Sequence, residues 1–207
     1  MPKKTFFNLL EPKRERITEV AIAEFAEFHL YDASINRIIE RAGISRGSFY
    51  QYFEDLEDLY KYIFQLVAEE KVSYLEKHFD EPQQGDIFEV LRNMYKAGIQ
   101  FAIEHPAYAK IGNHLIKGDP AFKNQMIGDW EEYTKQYIIG LLKNGQEAGI
   151  VRADIDLEVA AFLFYQQTLL LTDHYLMEGN WFEHSERYLQ AVDEMLKIFA
   201  QGIHAKD

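Results

Sequence analysis

Apolar side chains recur at helical spacing along nearly the whole chain, and no stretch alternates as a half-buried strand would. A helix opening near Pro12, which suits a first turn, carries Ile17, Val20, Ala21, Phe25 and Phe28 on one face. A second begins at Ser34, carries Ile35, Ile38, Ile39 and Ala42, and stops at Gly43, which tolerates the left-handed conformation that ends a helix. Ser45 reopens the chain as an N-cap, and a short helix follows with Phe49 and Phe53 at i and i+4. From Leu56 to Phe79 a longer helix buries Leu59, Ile63, Leu66, Val67, Tyr74 and Leu75, and reaches about 36 Å at 1.5 Å per residue. Asp80 to Asp86, with Pro82 and Gly85, reads as a loop and linker. Further helices are expected from Ile87 to Glu104, Ala107 to Lys117, Ala121 to Ala148, Leu157 to Met177 and Phe182 to Ala205, the last two joined at Gly179 and Asn180. The pattern predicts an all-α protein of about nine helices, with three short helices over residues 1–55 and a larger helical body over 56–207.

Two short helices across a tight Gly turn make a helix-turn-helix, whose second helix can enter the major groove of DNA. The stretch after Ser45 supplies both faces this needs. Phe49 and Phe53 anchor it, while Arg46, Gly47, Ser48, Tyr50, Gln51 and Tyr52 present hydrogen-bonding groups and one small residue. Arg46, Ser48 and Gln51 are candidate base contacts, Tyr50 and Tyr52 candidate phosphate ligands, and Ser34, Ser45 and Gly47 further candidate DNA-binding residues. Lys3, Lys4, Lys13, Arg14 and Arg16 form a basic arm suited to the minor groove; a solvated tail is the competing reading.

The run Ala42-Gly43-Ile44-Ser45, followed by Gly47-Ser48-Phe49-Tyr50, one residue, an aromatic and Phe53, resembles the TetR-type transcriptional regulators. The resemblance covers about Ile17 to Leu59. It implies a regulator that binds palindromic operator DNA as a homodimer and answers to a small-molecule effector. Three positions depart from the family pattern: His29 where a C-capping Gly is usual, Ile39 for a small Ala, and Leu56 for a phosphate-binding Lys. The last, with Asp55, Glu57 and Asp58 beside it, predicts weakened or salt-sensitive DNA binding.

A net charge of −12 suits DNA poorly until it is divided along the chain. Residues 1–53 hold eight Lys or Arg against seven Asp or Glu, a net of +1, so the acidity belongs to the remainder. No apolar run is long enough to span a bilayer and no signal-peptide pattern opens the chain, so a cytoplasmic protein without membrane contact is expected. Cys is absent, the histidines are scattered, and no metalloprotease, phosphate-loop or nucleophile-elbow motif occurs. No enzyme activity, metal or cofactor is therefore expected.

The body is rich in aromatics, and at helical spacing these serve first as core. Composition and family resemblance together suggest an elongated apolar ligand pocket bounded by the helices from Ile87, Ala107, Ala121 and Leu157. Its candidate lining is Phe88, Tyr95, Phe101, Trp130, Tyr133, Tyr137 and Phe164, with Gln166, Gln167 or Asp173 at a polar end. A buried polar network around Asp173 and His174 is the alternative explanation of those groups. The dimer is expected to use Ala160, Ala161, Phe164, Thr168 and Leu171 with Tyr188, Ala191, Val192, Met195 and Phe199. The function expected is a DNA-binding regulator, most simply a repressor released by an apolar or amphipathic molecule. A helical small-molecule-binding protein or enzyme that no longer uses DNA is the rival.

Overall fold

The stretches with helical spacing fold as helices. The computed structural model describes residues 1–79, 87–176 and 181–203, which hold ten helices and no β-strand. They are α1 (Lys4–Phe7), α2 (Glu11–Glu27), α3 (Ile35–Ala42), α4 (Arg46–Tyr52), α5 (Leu56–Phe79), α6 (Ile87–Glu104), α7 (Pro106–Lys117), α8 (Pro120–Glu147), α9 (Leu157–Leu176) and α10 (Trp181–Ile203). The expected loop over 80–86 and the junction at Gly179 and Asn180 lie outside the described residues. The helix beyond the nine expected is α1, whose four residues are too few to show a period; it forms around a wholly buried Phe6.

The chain divides into two compact units, one of Met1–Tyr74 with His105–Met126 and one of Leu75–Glu104 with Ile127–Asp207. In the first, α2 packs on both α3 and α7. Ile17, Ala21 and Phe25 of α2 meet a core containing Ile38, Phe49, Phe53, Leu59, Ile63 and Ile111, all at 0% exposure. Each of the larger ones contributes about 2 kcal/mol by leaving water. Phe25 stands edge-on to Tyr60, ring centroids 4.9 Å apart, and the buried Tyr60 hydroxyl donates to Ile111 O at 3.5 Å. His29 does not act as a helix cap at positive φ: α2 ends in an extended Phe28, and the His29 ring stacks on His114 of α7 at 4.1 Å.

In the second unit α10 lies against α6 and α9. Arg92 grips Asp193 through two parallel hydrogen bonds of 2.5 and 2.7 Å, holding that carboxyl below the usual range. Tyr95 Oη lies 2.6 Å from Thr168 Oγ1, whose own proton goes to Phe164 O at 2.9 Å, so the tyrosine donates. Burial pushes Tyr95 up to about 12. A Cβ on Gly145 would fall 2.7 Å from Val151 Cγ2, so any larger residue there would push Val151 aside where the connector closes on α8. Arg152 then ties it to the end of α10, with N donating to Ile203 O at 2.9 Å and Nη1 to Gly202 O at 3.1 Å.

These contacts engage most of the expected dimer residues within the chain. Ala160, Ala161, Phe164, Tyr188, Val192 and Met195 are buried within the chain itself. Phe164 stacks on Phe199 at 4.3 Å, Thr168 is engaged by Tyr95, and Leu171 and Ala191 are half-buried. Among the described residues, the large apolar side chains that α9 and α10 leave exposed are Val159, Phe162, Leu163 and Leu170 of α9 and Ile198 of α10.

His114 gives the first unit a pH dependence. Its Nδ1 donates to Phe25 O at 3.0 Å, and burial holds it below its ordinary 6.5. The folded chain thus takes up this proton less readily than the unfolded chain, so stability is full above about pH 6.5 and falls as pH drops through and below that value. Chemical denaturation between pH 7.5 and 5.5 should show this loss, and His114→Gln, which keeps a donor for Phe25 O, should flatten it. An unchanged pH slope in that variant would exclude His114 as the source.

Candidate nucleic-acid interface

The head is built on the turn between α3 and α4. Gly43 takes φ 67° and ψ 37°, and Ile44 N and Gly43 N close the end of α3 on Ile39 O and Glu40 O at 3.0 and 3.2 Å. Ser45 caps α4, its Oγ accepting from Ser48 N at 3.0 Å and lying 2.9 Å from Ser48 Oγ. Phe49 is fully buried beneath the helix. This leaves Arg46, Gly47, Tyr50 and Gln51 exposed in one row, with Ser48 half-buried beside them. Arg46 Nη1 donates to Asn36 Oδ1 of α3 at 3.0 Å, and its guanidinium lies 5.9 Å from the Tyr50 ring. Asn36 thus steers the Arg46 side chain, a role that one polar residue on α3 could not announce in the sequence.

Tyr52 departs from its expected phosphate role. It is 6% exposed, packed 6.2 Å from Phe6 with Lys13 Nζ 5.8 Å from its centroid, and belongs to the core of the head. The basic arm is not a loose arm either: Lys3 and Thr5 bond the end of α4, and Arg14 Nη1 donates to Phe7 O at 3.2 Å. Lys13 remains exposed beside them. Ser34 is half-buried at the start of α3 and makes no side-chain cap; instead its N donates to Glu24 Oε1 at 2.8 Å.

Glu24 is the residue this site hides. Its carboxylate is wholly buried, yet it accepts from Ser34 N and, also at 2.8 Å, from Arg37 Nε. Oε2 takes no hydrogen bond and faces Arg41 Nη1 at 3.7 Å. Glu24 lies within the apolar stripe of α2, and Arg37 and Arg41 stand four apart on α3; that conjunction was the available signal.

Of the proposed ligand residues, Phe88, Phe101 and Phe164 are buried in the second unit and Tyr95 is bonded inside it, while Gln167 is half-buried. Trp130, Tyr133, Tyr137 and Asp173 are exposed, so they do not join that interior. Polar groups there include Tyr95, Thr168, Thr172 and Tyr188, the last two 3.5 Å apart through their hydroxyls. No group of three His, Cys, Asp or Glu among the described residues could hold a metal, and no helix among them is long and apolar enough to cross a membrane.

In the head, α3 and α4 across a left-handed Gly turn, with α4 capped and carrying a polar outward row, make a helix-turn-helix unit. Residues 17–63 match the model of the bacterial regulatory proteins, tetR family. A crystal structure of a TetR family transcriptional regulator from Chloroflexus aurantiacus J-10-FL is similar over 100% of both chains, at 31% identity and a TM-score of 0.73. The "Probable acrEF/envCD operon repressor" of Escherichia coli (strain K12) is 25% identical over 203 residues, 96% of this chain and 91% of that one. FadR from Bacillus subtilis, solved in complex with stearoyl-CoA, shares the fold at 17% identity and a TM-score of 0.67, over 92% of this chain and 99% of its own. The chain belongs to the TetR family of transcriptional regulators.

Replacing Glu24 tests the buried pair. Glu24→Ala should cost about 2 kcal/mol, since Ser34 N and Arg37 both lose their acceptor. Glu24→Gln, which keeps one carbonyl oxygen for Ser34 N, should cost less. Thermal melts that do not separate the two variants would show that packing, not the carboxylate, holds α2 to α3.

Proposed function

We propose that this protein is a homodimeric, cytoplasmic repressor whose head, residues 1–55, binds a palindromic operator. Its body, 56–207, binds an apolar or amphipathic small molecule that releases the DNA. The observation that carries the DNA reading is the outward row of α4, in which Arg46, Tyr50 and Gln51 stand exposed on a helix whose other face is fixed in the core. Arg46, Ser48 and Gln51 read bases, Tyr50 binds a phosphate, and Lys13 adds a phosphate contact beside them. Gly47 supports the same placement: a Cβ there would meet only Ser45 Oγ at 3.8 Å, so the protein itself does not require glycine, whereas close approach of a DNA backbone would. The acidic start of α5 does not favour the rival without DNA, because Asp55 caps the helix, accepting from Asp58 N at 2.8 Å, and Asp58 holds the chain ahead of it, accepting from Glu54 N at 3.1 Å.

The dimer is proposed through the outer face of α9. Val159, Phe162, Leu163 and Leu170 follow helical spacing, and Leu170 and Ile198 are 58% and 71% exposed, more than a helix bathed in water would carry. Two heads then meet half-sites one DNA turn apart. The effector reading rests on the interior of the second unit, where buried Phe88, Phe101 and Phe164 accompany the hydroxyls of Tyr95 and Tyr188, apolar surface with a few orienting polar groups. FadR, bound to stearoyl-CoA, is a relative of this fold with a ligand of that character. A hundredfold release of the operator needs about 2.7 kcal/mol of differential affinity between the two conformations.

Fluorescence anisotropy with DNA flanking the protein's own coding region tests the whole reading. Arg46→Ala should weaken binding by about 1–3 kcal/mol and relax sequence preference. Gly47→Ala should weaken it while leaving the melting temperature unchanged or raised. Failure of the unaltered protein to prefer any of this DNA over random sequence would end the DNA reading. Long-chain acyl-CoA and apolar aromatic compounds should lower the affinity. If compounds that bind never do so, the effector reading fails and the DNA reading stands.

Leu163→Glu places a charge on the outer face of α9 and should give monomers in sedimentation with half-site affinity only. The same variant remaining dimeric would move the interface elsewhere.

A further inference from the structure

With seven residues, α4 leaves the carbonyls of Phe49, Tyr50, Gln51 and Tyr52 unpaired within the helix. Phe49 O accepts from Phe53 N at 2.9 Å, as the chain leaves the helix. The other three are all met from the first residues of the chain, more than forty positions away in sequence. Lys3 Nζ donates to Tyr50 O at 2.9 Å, Thr5 Oγ1 donates to Gln51 O, and Lys3 N donates to Tyr52 O at 2.8 Å. The Lys3 ammonium thus sits at the negative end of the α4 dipole, where a cation is stabilising. Phe6 locks the segment down, buried completely with its centroid 4.8 Å from that of Phe53 and 5.3 Å from that of Tyr62.

A helix this short is not stable by itself in water, so its order comes from what meets its ends and its inner face. Ser45 closes one end and the N-terminal segment closes the other. We infer that Lys3, Thr5 and Phe6 form a clamp that positions the recognition helix, setting the rigidity and angle of Arg46, Tyr50 and Gln51 without touching DNA themselves. The inference rests on the reading of α4 as the operator-binding helix. It differs from a DNA-binding arm in one measurable respect: a phosphate ligand releases a counterion on binding, and a clamp does not.

The test uses the full chain carrying Lys3→Met, Thr5→Val or Thr5→Ser. Operator affinity is measured across a salt series, and amide hydrogen exchange of α4 is measured without DNA. Lys3→Met and Thr5→Val should each weaken operator binding about fivefold, the effect of one lost hydrogen bond. The slope of log K against log salt should stay unchanged, exchange should quicken at the α4 amides while the body is unaffected, and Thr5→Ser should restore both readouts. A slope shallower by about one in Lys3→Met, with α4 exchange unchanged, would overturn the clamp and make Lys3 a phosphate ligand. Unchanged affinity and exchange in both variants would overturn it as well. Because exchange is read on the free protein, a chain that binds no operator removes the DNA reading while the clamp is still decided.

Discussion

The geometry of the head follows from one buried carboxylate. A charge removed from water must be paired and hydrogen-bonded, and Glu24 finds its partners only where the start of α3 lies against the end of α2. Arg37 answers from the other side: besides Glu24 it donates to Asp32 O at 2.8 Å, and its guanidinium lies 4.0 Å from the Phe28 ring. One planar fork therefore laces the whole connection from α2 to α3, a task for which the point charge of lysine is unsuited. With α3 fixed, the left-handed Gly43 and the Ser45 cap determine where α4 points.

The same economy of charge explains the acidic residues at the start of α5. Asp55 caps Asp58 N in the first turn, Asp58 reaches back to Glu54 N just ahead of the helix, and negative charge there suits the helix dipole. Glu57 is neutralised in part by Lys61 at 2.6 Å. Stability of α5 and attraction to DNA are thus set against each other at one place. Exposed cations near the head, Lys13 and Arg46 among them, must outweigh these carboxylates, and salt screens that balance steadily.

Most of the architecture was legible because periodicity is strong in long amphipathic helices, and Gly43 and Ser45 are local signals whose geometry is fixed by a single residue each. What the sequence hid was non-local. Nothing adjacent to Lys3 or Thr5 says that their donors belong to carbonyls of Tyr50 and Gln51, so the segment reads as a basic tail. Tyr52 likewise reads as exposed in a helix with polar neighbours on both sides, until Phe6 arrives from a distant part of the chain to cover it. His29 stands at a position where glycine would be expected, but the chain leaves α2 in an extended conformation and needs no left-handed residue there.

The faces of α9 show the same limit in another form. Leu169, Leu170 and Leu171 stand in a row, so the helix is apolar all round and its periodicity cannot say which side is inside. Burial decides it: Ala160 and Ala161 are inside, and Phe164, one turn on, stacks against Phe199 of α10. The outer stripe that remains is too apolar to be favourable in water, and in a two-fold arrangement every contact it makes is made twice. In the proposed dimer, burying that stripe stabilises the folded chain only when a second copy is present. Folding of the second unit and association are then linked by mass action, and the heads are paired only in chains whose bodies are already complete.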